Sequence, residues 1–453
     1  MTRPPEFRAY PGELVVDNFA GGGGASTGIE AAIGRPCDIA INHDAAAIAM
    51  HRANHPETRH YIEDIWEVDP VDACGGKPVG LAWFSPDCKH FSRAKGGKPK
   101  ESKIRGLAWV VVRWARKVHP RTIILENVED FRTWGPLDAD GNPIKARAGE
   151  TFRHWIGCLE AEGYRVELRE LRAADYGAPT TRNRLYIIAR LDRRMSWPDA
   201  THGEERPLPH GTAADCIDWS IPAPSIFERS RPLAENTYKR IADGIRRYVL
   251  GDREPFIVRT GHYVAGQETT FRGQPLGRPL ATVCATNDKN LVVPLVTKHY
   301  GGVVGHRVTR PLGAITAKDH HALTEAYLAR VGIDAELPHT GGDHSDDAQA
   351  FLLKYYGTAT GQRCDEPLHT ITSKARFGLV EIQGQDYRIA DIGMRMLQPR
   401  ELYRAQGFPD SYEIAPDFNG KPMTKTNQIR MAGNSVAPPV AQALVSETLR
   451  TEG

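Results

Sequence analysis

Short apolar runs alternate with amphipathic stretches over the first 190 residues of the chain. The apolar runs lie at residues 13–17, 38–41, 79–84, 122–125 and 185–189. Stretches with helical patterning lie between them, at residues 25–33, 45–53, 107–118 and 152–162. Strands that alternate with helices of this length pair into a parallel sheet with helices on both faces. The pattern therefore predicts an α/β fold with a doubly wound, Rossmann-like parallel sheet.

The patterning changes after residue 193. Proline, glycine and short β-rich runs dominate as far as residue 390, and a segment that starts at Lys298 is repeated from Lys354. Each copy has the pattern of a turn, a strand and a second turn. Beyond residue 390 helical patterning returns, at residues 399–406 and 438–449. The chain therefore holds a smaller β-rich region between two segments of mixed or helical character.

Composition and cysteine content narrow the class of protein. The chain of 453 residues is 40% hydrophobic and 25% charged, which excludes a disordered tail, a fibrous protein and a membrane channel. No apolar run approaches the ~18 residues of a membrane span, and the first residues lack the apolar core of a secretion signal. Seven cysteines without a Cys-x-x-Cys pair favour a reducing compartment over a disulfide framework or a zinc site. We expect a cytoplasmic protein without membrane contact and without a metal ion.

Positive charge is concentrated in one segment. The formal net charge is only +2, but the stretch from Lys89 to Arg121 contains eleven Lys and Arg residues and a single acid, Glu101. The rest of the chain is therefore mildly acidic. A localised basic segment of this kind favours contact with phosphates, as in nucleic acid. A solvated charge run is the alternative.

The first apolar run ends in a glycine-rich turn. This turn starts at Asp17, passes Phe19 and contains four consecutive glycines at residues 21–24. Glycines there let the backbone approach a ligand and open a helix whose N-terminus favours negative charge. The Gly-x-Gly-x-x-Gly fingerprint of nicotinamide cofactors does not fit, because Ser26 or Thr27 stands where its third glycine belongs. The turn indicates a nucleotide-like cofactor other than NAD, with a purely structural loop as the alternative.

A cysteine follows the third apolar run. Cys88 lies just beyond the end of the strand predicted at 79–84, where open α/β sheets bind their ligands. Lys89, His90 and Arg93 surround it with positive charge, which favours the nucleophilic thiolate. An inert thiol is the alternative, and it is our interpretation of most of the other six cysteines.

Two further charged groups are expected at the same edge. Glu126 ends the next strand, and a partly desolvated carboxyl group there can hold a proton and act as an acid. Arg182 and Arg184 lead into the strand that follows.

The order of these elements resembles the DNA cytosine-5 methyltransferase family of bacteria and phages. The resemblance covers most of the chain outside residues 194–390. Six motifs stand in family order: the cofactor turn at 17–24, Pro86-Asp87-Cys88, Glu126-Asn127-Val128, Arg182-Asn183-Arg184, and the last two at 400–409 and 433–436.

The resemblance implies a domain organisation and partners. Residues 1–193 and 391–453 would form a discontinuous domain of the S-adenosylmethionine methyltransferase fold, and residues 194–390 an inserted target-recognition domain. S-adenosyl-L-methionine would be the cofactor and double-stranded DNA the substrate, with a cognate restriction endonuclease acting on the same site. We expect a monomer, because DNA offers its own asymmetric groove.

The resemblance also implies the chemistry. The Cys88 thiolate would add to C6 of a cytosine flipped out of the duplex, so that C5 can take the methyl group. Glu126 would hydrogen-bond N3 and the exocyclic amine, and Arg182 would contact the O2 side of the base. Asn127 and Arg184 would support the loop. DNA contacts are expected from the loop after the cysteine, at Lys89, Ser92, Arg93, Lys95 and Lys98.

Cofactor contacts carry over to residues at several strand ends. They are Asp17, Phe19, Gly21, Gly23, Gly24, Asn42, Asp44, Asp64, Ile65, Pro86, Asn434 and Ser435.

Three positions depart from the family pattern. Asn42 stands where a glutamate usually binds the ribose, Asp87 replaces the proline before the cysteine, and Thr180 replaces a glutamine. A carboxylate at Asp87 would raise the pKa of Cys88 unless a cation masks it.

Three other functions are compatible with part of this pattern. An RNA cytosine-5 methyltransferase would share every catalytic residue, but the recognition region is larger than a tRNA enzyme of this family needs. A nicotinamide-dependent oxidoreductase leaves Cys88, Glu126 and the arginines without a role. An inactive DNA-binding relative would have lost Cys88 or Glu126, and both are present. The sequence therefore predicts a DNA (cytosine-5-)-methyltransferase that acts in restriction-modification or in protection of DNA.

Overall fold

A computed structural model gives the fold. It describes residues 12–86, 106–192, 194–212, 214–216, 218, 220–221, 230–232, 278–280 and 397–448, and the backbone of the strands between residues 256 and 396. The chain divides into two compact units. The first contains residues 1–216, 279–286 and 398–453, and the second contains residues 217–278 and 287–397.

The first unit is built on a seven-stranded sheet. Its strands are β1 (Leu14–Asn18), β2 (Ile39–Ile41), β3 (Arg59–Tyr61), β4 (Val79–Phe84), β5 (Thr122–Asn127), β6 (Arg165–Arg172) and β7 (Asn183–Arg190). Its helices are α1 (Gly24–Ile33), α2 (Ala45–Asn54), α3 (Pro70–Cys74), α4 (Trp109–Val118), α5 (Glu150–Ala161), α6 (Pro399–Ala405), α7 (Lys425–Asn434) and α8 (Pro438–Thr448). The strands stand in the order β3-β2-β1-β4-β5-β7-β6. The predicted α/β class is confirmed.

The sheet is mixed rather than wholly parallel. Strands β3, β2, β1, β4 and β5 pair in parallel, but β7 pairs antiparallel with both β5 and β6. Only residues 173–182 connect β6 to β7, and a parallel connection needs a longer crossover. The chain therefore turns back and inserts β7 between its two neighbours. The alternating charged sequence of β6 has no long apolar run, and the sequence pattern did not predict this strand.

Helices cover both faces of the sheet, as the doubly wound prediction requires. On one face α4 and α5 pack with Trp114 and Trp155 fully buried. On the other face α1 packs with α8, and Ile29 and Leu444 are fully buried. Burial of each such side chain contributes about 1.5–3 kcal/mol. The helix α8 near the C-terminus therefore completes the core that begins with β1, which makes this unit discontinuous in sequence.

The second unit is described through its strands. They are β8 (Phe256–Arg259), β9 (Gly273–Pro275), β10 (Lys289–Lys298), β11 (Val304–His306), β12 (Ala326–Arg330), β13 (Phe351–Lys354), β14 (Gln362–Arg363), β15 (Phe377–Gly378), β16 (Val380–Ile382), β17 (Gln385–Asp391) and β18 (Gly393–Met396). Eight of them form one sheet around β10, and β14, β13 and β15 form a second, three-stranded sheet. This part is β-rich, as predicted. None of the helices in the described part of the chain combines the length and the apolar content that a bilayer span requires.

Candidate active site

The strand order brings the predicted motifs to one edge of the sheet. Strands β1 and β4 end side by side, with Asn18 opposite Phe84. Strand β5 ends at Asn127, which lies opposite Leu185 near the start of the antiparallel β7. The loops after β1, β4 and β5 and the loop before β7 therefore meet at the carboxyl edge of the parallel strands. Open α/β sheets bind their ligands at this edge.

The turn after β1 has a backbone that favours glycine. Phe19, Gly21 and Gly23 all have positive φ values, of 62°, 54° and 96°. A non-glycine residue such as Phe19 takes this conformation only where its surroundings enforce it. Gly23 is the N-cap of α1, so the turn delivers the chain directly into the helix.

Neighbouring side chains close around the same turn. A Cβ atom on Gly23 would lie 2.4 Å from the Tyr412 hydroxyl, and one on Gly24 would lie 2.0 Å from Oγ of Ser435. The Tyr412 hydroxyl donates a hydrogen bond to the carbonyl of Gly22. The glycines are therefore required by packing as well as by backbone conformation. Sequence analysis missed Tyr412, which lies in an aromatic cluster of the C-terminal segment and carries no motif of its own.

The end of α7 lies beside this turn and is tied to the β7 side of the site. Arg182 donates from Nη1 to the carbonyl of Gly433 over 3.0 Å. The side chain of Asn434 is exposed, whereas Ser435 is buried and its hydroxyl donates to the Val436 carbonyl over 2.7 Å. Asn434 is therefore placed to contact a ligand, and Ser435 shapes the turn.

The loop after β2 uses its polar groups internally. Oδ1 of Asn42 accepts a hydrogen bond from the amide of Asp44 over 2.8 Å. Asp44 caps α2 by accepting from the amides of Ala46 and Ala47, and its other oxygen is ion-paired with Arg430 of α7. Burial raises the pKa of Asp44, but the hydrogen bond and charge of Arg430 outweigh this effect and hold it below its ordinary value. Asn42 thus uses its amide oxygen to fix the loop, and Asp44 joins the start of α2 to α7.

The loop after β3 offers an exposed acid. Asp64 is exposed and accepts from the amide of Trp66 over 3.0 Å, which fixes the loop. Ile65 is buried beneath it, with 5% of its surface exposed. The Asp64 carboxylate is therefore available to an amine of a ligand.

Opposite charges meet between β5 and β7. Oε1 of Glu126 lies 3.2 Å from Nε of Arg184 and 3.7 Å from Nη2 of Arg182. Glu126 and Arg182 are buried, with 7% and 5% of their surfaces exposed. Arg184 also donates to the carbonyl of Asn183 over 2.8 Å. Two guanidinium groups beside one buried carboxylate form a preorganised site for a polar, planar group.

Asn127 supports the loop that carries the predicted nucleophile. It is buried, its Nδ2 donates to the carbonyl of Pro86 over 3.4 Å, and its Oδ1 accepts from the amide of Val128 over 2.8 Å. Pro86 is the last described residue before the loop. The remaining predicted positions lie outside the described residues: Asp87, Cys88, Lys89, Ser92, Arg93, Lys95 and Lys98.

Thr180 marks another departure from the family pattern. It is fully buried, and its hydroxyl has no hydrogen-bond partner within the described part of the chain. The backbone on either side of it is held by Leu280, which donates to Pro179 over 2.7 Å and accepts from Thr181 over 2.6 Å. The segment around residue 280 therefore braces the loop that leads to Arg182.

A chain of polar side chains lies buried behind the glycine turn. Asp17 is fully buried and accepts from the hydroxyl of Ser26 over 2.8 Å. Ser26 in turn contacts Nε2 of His51 at 3.0 Å, and Nδ1 of His51 lies 2.9 Å from Nε2 of His60. Asp17 therefore reaches a ligand only through the turn. Sequence analysis missed the other three residues, although a histidine on the apolar side of α2 was an available signal.

The donors at this edge fit S-adenosylmethionine. Gly23 and Gly24 pack tightly against Tyr412 and Ser435, and this packing fixes the turn at the N-terminus of α1. The exposed carboxylate of Asp64 suits an adenine amine, while Asn42 and Asn434 supply neutral polar groups for a ribose and an amino acid tail. The described residues contain no cluster of three or more His, Cys, Asp or Glu arranged to hold a metal ion.

Comparison with known proteins identifies relatives over nearly the whole chain. The chain is 25% identical to the Type II methyltransferase M.HgiCII of Herpetosiphon aurantiacus, over 95% of each chain. It is 27% identical to the Type II methyltransferase M.AgeI of Thalassovita gelatinovora, over 96% of this chain and 98% of that protein. A solved structure of a putative DNA modification methyltransferase encoded in an E. coli prophage covers 96% of this chain and 97% of its own, with 16% identity and a TM-score of 0.48.

A match to a family model shows which protein family the chain belongs to. The model described as C-5 cytosine-specific DNA methylase matches residues 14–218 and 345–450, which is more than half of the chain. The matched ranges include the glycine turn, the Glu126 and Arg182 motifs and the C-terminal helices. They confirm the resemblance that the motifs indicated, and the chain belongs to the C-5 cytosine-specific DNA methylase family, a family of DNA cytosine-5 methyltransferases.

Proposed function

We propose that this protein transfers a methyl group from S-adenosylmethionine to C5 of a cytosine that has been flipped out of double-stranded DNA. The β-rich unit would read the target sequence, and methylation would protect that site from a cognate restriction endonuclease. The relatives named as Type II methyltransferases support the biological setting. The observation that carries the chemistry is the buried Glu126 carboxylate with the guanidinium groups of Arg182 and Arg184 within 3.7 Å.

The cofactor would lie across the ends of β1, β2 and β3. When bound, S-adenosylmethionine supplies an electrophilic methyl group on a sulfonium centre. Asp64 would accept from the adenine amine, and the Asn42 amide would donate to a ribose hydroxyl. Because Asn42 is uncharged, this bond is weaker than the one a glutamate makes in the family pattern. The glycine turn and Asn434 would hold the amino acid end.

Base activation would use the groups at β5 and β7. The carbon C5 of cytosine is a weak nucleophile, so the Cys88 thiolate first adds to C6 and makes the ring enamine-like. Glu126 hydrogen-bonds N3 and the exocyclic amine, and Arg182 bonds the O2 side, so that both stabilise charge as the thiolate adds. C5 then takes the methyl group, a water molecule takes up the C5 proton, and the electron pair left behind expels Cys88 as a thiolate. Asn127 holds the start of the cysteine loop at Pro86 throughout.

The target base must leave the duplex for this chemistry. A stacked, paired cytosine exposes neither face of C6, so the base is extruded into the pocket. The basic segment that follows Cys88 would close over the DNA and contact its phosphates. Affinity for DNA should therefore fall steeply with salt concentration.

We further propose that the protein acts as a monomer, which light scattering with and without DNA would test.

The deciding experiment follows a labelled methyl group. Purified protein, S-adenosylmethionine labelled on the methyl group, and either DNA or RNA are incubated and then digested to nucleosides. We expect label in 5-methyldeoxycytidine, which should be absent with Cys88→Ala and retained with Cys158→Ala, a cysteine of α5. DNA that carries 5-fluorocytosine should trap a covalent adduct, because fluorine cannot leave C5 as a proton does. Label only in RNA would overturn the proposed substrate, and label with Cys88→Ala would overturn the nucleophile.

A further inference from the structure

A chain of hydrogen-bonded side chains leads from a buried carboxyl group to a half-buried histidine. Its members are Asp17, Ser26, His51 and His60. Asp17 is fully buried on β1, Ser26 lies in the first turn of α1, His51 is fully buried in α2, and His60 is half-buried on β3. The three links measure 2.8, 3.0 and 2.9 Å. All three are within hydrogen-bond distance, so the chain is continuous.

Proton counting shows that this chain has two complete arrangements. Burial lowers the pKa of His51 well below its ordinary value, so its ring is neutral and carries one proton. If Asp17 is ionised, Ser26 donates to Asp17, His51 donates from Nε2 to Ser26, and His60 donates from Nε2 to His51. If Asp17 carries a proton, it donates to Ser26 and every link reverses. Both arrangements keep all three hydrogen bonds, so neither leaves a buried group unsatisfied.

The exchange between them moves one proton. A proton that binds Nδ1 of His60 displaces the Nε2 proton of that ring to Nδ1 of His51. His51 passes its own Nε2 proton to Ser26, and Ser26 passes its hydroxyl proton to Asp17. The result is a neutral Asp17 and two neutral imidazole rings. The buried carboxyl group therefore gains or loses a proton without any side chain having to reach solvent.

Other titratable groups lie around Asp17. Glu30 of α1 is paired at 2.8 Å with His55, the residue that follows α2, and the His55 and His51 rings lie 4.5 Å apart. The Cys37 thiol and the Tyr412 hydroxyl are both buried, and burial raises the pKa of each well above its ordinary value, so both stay protonated near neutral pH. Glu30 and His55 contact one another, and Asp17 is the carboxyl group that bonds directly to the first turn of α1.

We propose that Asp17, Ser26, His51 and His60 are positioning residues that set the charge behind the glycine turn, and that the ionised form of Asp17 makes this turn prefer the cationic S-adenosylmethionine over its neutral product, S-adenosylhomocysteine. The inference rests on the proposed cofactor. Asp17 begins the turn that cradles the ligand, and Ser26 lies two residues inside the helix that the turn opens. A buried charge there is poorly screened by solvent.

The pKa of Asp17 lies near neutral pH, where ligand binding is measured. Burial raises the pKa of Asp17 to about 7, against the opposing hydrogen bond from Ser26 and the charge of His55. Partial burial and the charges of Arg52 and His55 lower the pKa of His60 to about 4, so this ring is neutral at the same pH. A cation on the turn favours ionised Asp17. Binding of S-adenosylmethionine near pH 7 should therefore release part of a proton, and binding of S-adenosylhomocysteine should release less.

The first test compares the two ligands by calorimetry on the full-length protein without DNA. Both ligands carry the same amino and carboxyl groups, so the ratio of their affinities isolates the sulfonium charge. We expect this ratio to rise about fivefold between pH 6 and pH 8, the size expected for a buried charge several ångströms away. Asp17→Asn should abolish the rise and the excess proton release, whereas Asp72→Asn, which changes an exposed carboxyl group of α3, should keep both. An unchanged ratio in the unmodified protein, or a rise that survives in Asp17→Asn, would overturn the inference.

A second variant keeps the test decisive if Asp17→Asn fails to fold. Ser26→Ala removes the hydroxyl that stabilises the ionised carboxylate, so the midpoint of the pH-dependent ratio should move to higher pH. A midpoint that does not move would count against the chain. Failure of the proposed function looks different, because a protein that binds neither ligand at any pH is not using this cofactor.

Discussion

The site has one carboxyl group between β5 and β7 and another behind the glycine turn, and the two lie in different surroundings. Between β5 and β7 the Glu126 carboxyl group lies 3.7 Å from the guanidinium group of Arg182 and 3.2 Å from that of Arg184. Behind the glycine turn the Asp17 carboxyl group bonds to the hydroxyl of Ser26, and its pKa is raised to about 7. The first arrangement suits a group that must stabilise charge developing on a base. The second suits a group that responds to the charge of its ligand.

This difference predicts different kinetic effects at the two ends. Changes at the β5 and β7 end should lower kcat and leave cofactor affinity intact, because the contacts there form with the base in the transition state. Changes at the β1 and β2 end should alter cofactor affinity and stability first.

The largest effect is expected from Glu126→Gln. The amide keeps the shape of the side chain, but it can neither pair with Arg184 as a carboxylate nor supply the acidic proton that N3 of the base takes up as the thiolate adds. We expect kcat to fall by about 10³, with the dissociation constant of S-adenosylmethionine changed less than about twofold. Single-turnover methylation and calorimetry measure the two quantities. Glu160→Gln, on the exposed side of α5, is the control and should leave both unchanged. A variant that kept a tenth of the rate would contradict this role.

The sequence was informative where chemistry and backbone leave a local signature. Apolar runs located β1, β2, β4, β5 and β7, because strands whose two faces are both covered by helices are continuously hydrophobic. The glycine turn and the Glu126 and Arg182 motifs could be found because each is a contiguous stretch whose residue types are dictated by the ligand. The predicted parallel pairing is confirmed for five strands. The antiparallel direction of β7 was not predicted, because it depends on connection length and on the weakly patterned β6.

Residues that act through tertiary contacts were not predictable. Tyr412, Arg430 and His60 touch the site from segments distant in sequence, and none of them belongs to a contiguous pattern. Their partners are chosen by the fold, which places α7 and the segment before it against the turn. A partial exception is His51, because a histidine among apolar positions of a helix suggests a buried hydrogen-bond partner.

The next effect in size is expected from Gly24→Ala. The added methyl group would lie 2.0 Å from Oγ of Ser435 and 2.3 Å from the carbonyl of Val436, and the latter cannot rotate away. We expect S-adenosylmethionine affinity to fall at least about tenfold and the free energy of unfolding to fall by about 1–3 kcal/mol. Gly157→Ala is the matched control, because its Cβ meets nothing within 4 Å and alanine favours a helix. If the two variants behaved alike in calorimetry and urea denaturation, the close packing of Gly24 against Ser435 and Val436 would be contradicted.

A smaller effect is expected from Arg430→Gln. The substitution removes the cation paired with Asp44 and frees the end of α7 from the loop after β2. The pKa of Asp44 should rise, and the dissociation constant of S-adenosylmethionine should increase by up to about tenfold, with kcat at saturation nearly unchanged. Arg404→Gln provides the control, since Arg404 is paired with Asp410, whose side chain is 66% exposed. Such exposed pairs contribute little, about 0–1 kcal/mol. A drop in kcat rather than in affinity would place Arg430 with the base-activating groups instead.

The smallest effect concerns Asp17, behind the glycine turn, and the dependence of the free energy of unfolding on pH. The folded-state pKa of Asp17 is raised to about 7 from an ordinary value of 3.8, so between these values the folded protein holds a proton that the unfolded chain has lost. Its contribution to the free energy of unfolding is therefore present below this window, falls as pH rises through it, and is constant above about pH 7. Asp17→Asn removes this dependence, so the variant should gain about 1 kcal/mol relative to the unmodified protein between pH 6 and pH 8. Urea denaturation of both proteins at the two pH values measures the difference, and the other titrating groups cancel because the two chains share them. A difference that stays constant with pH would mean that Asp17 is ionised throughout, and the contrast between the two ends of the site would then disappear.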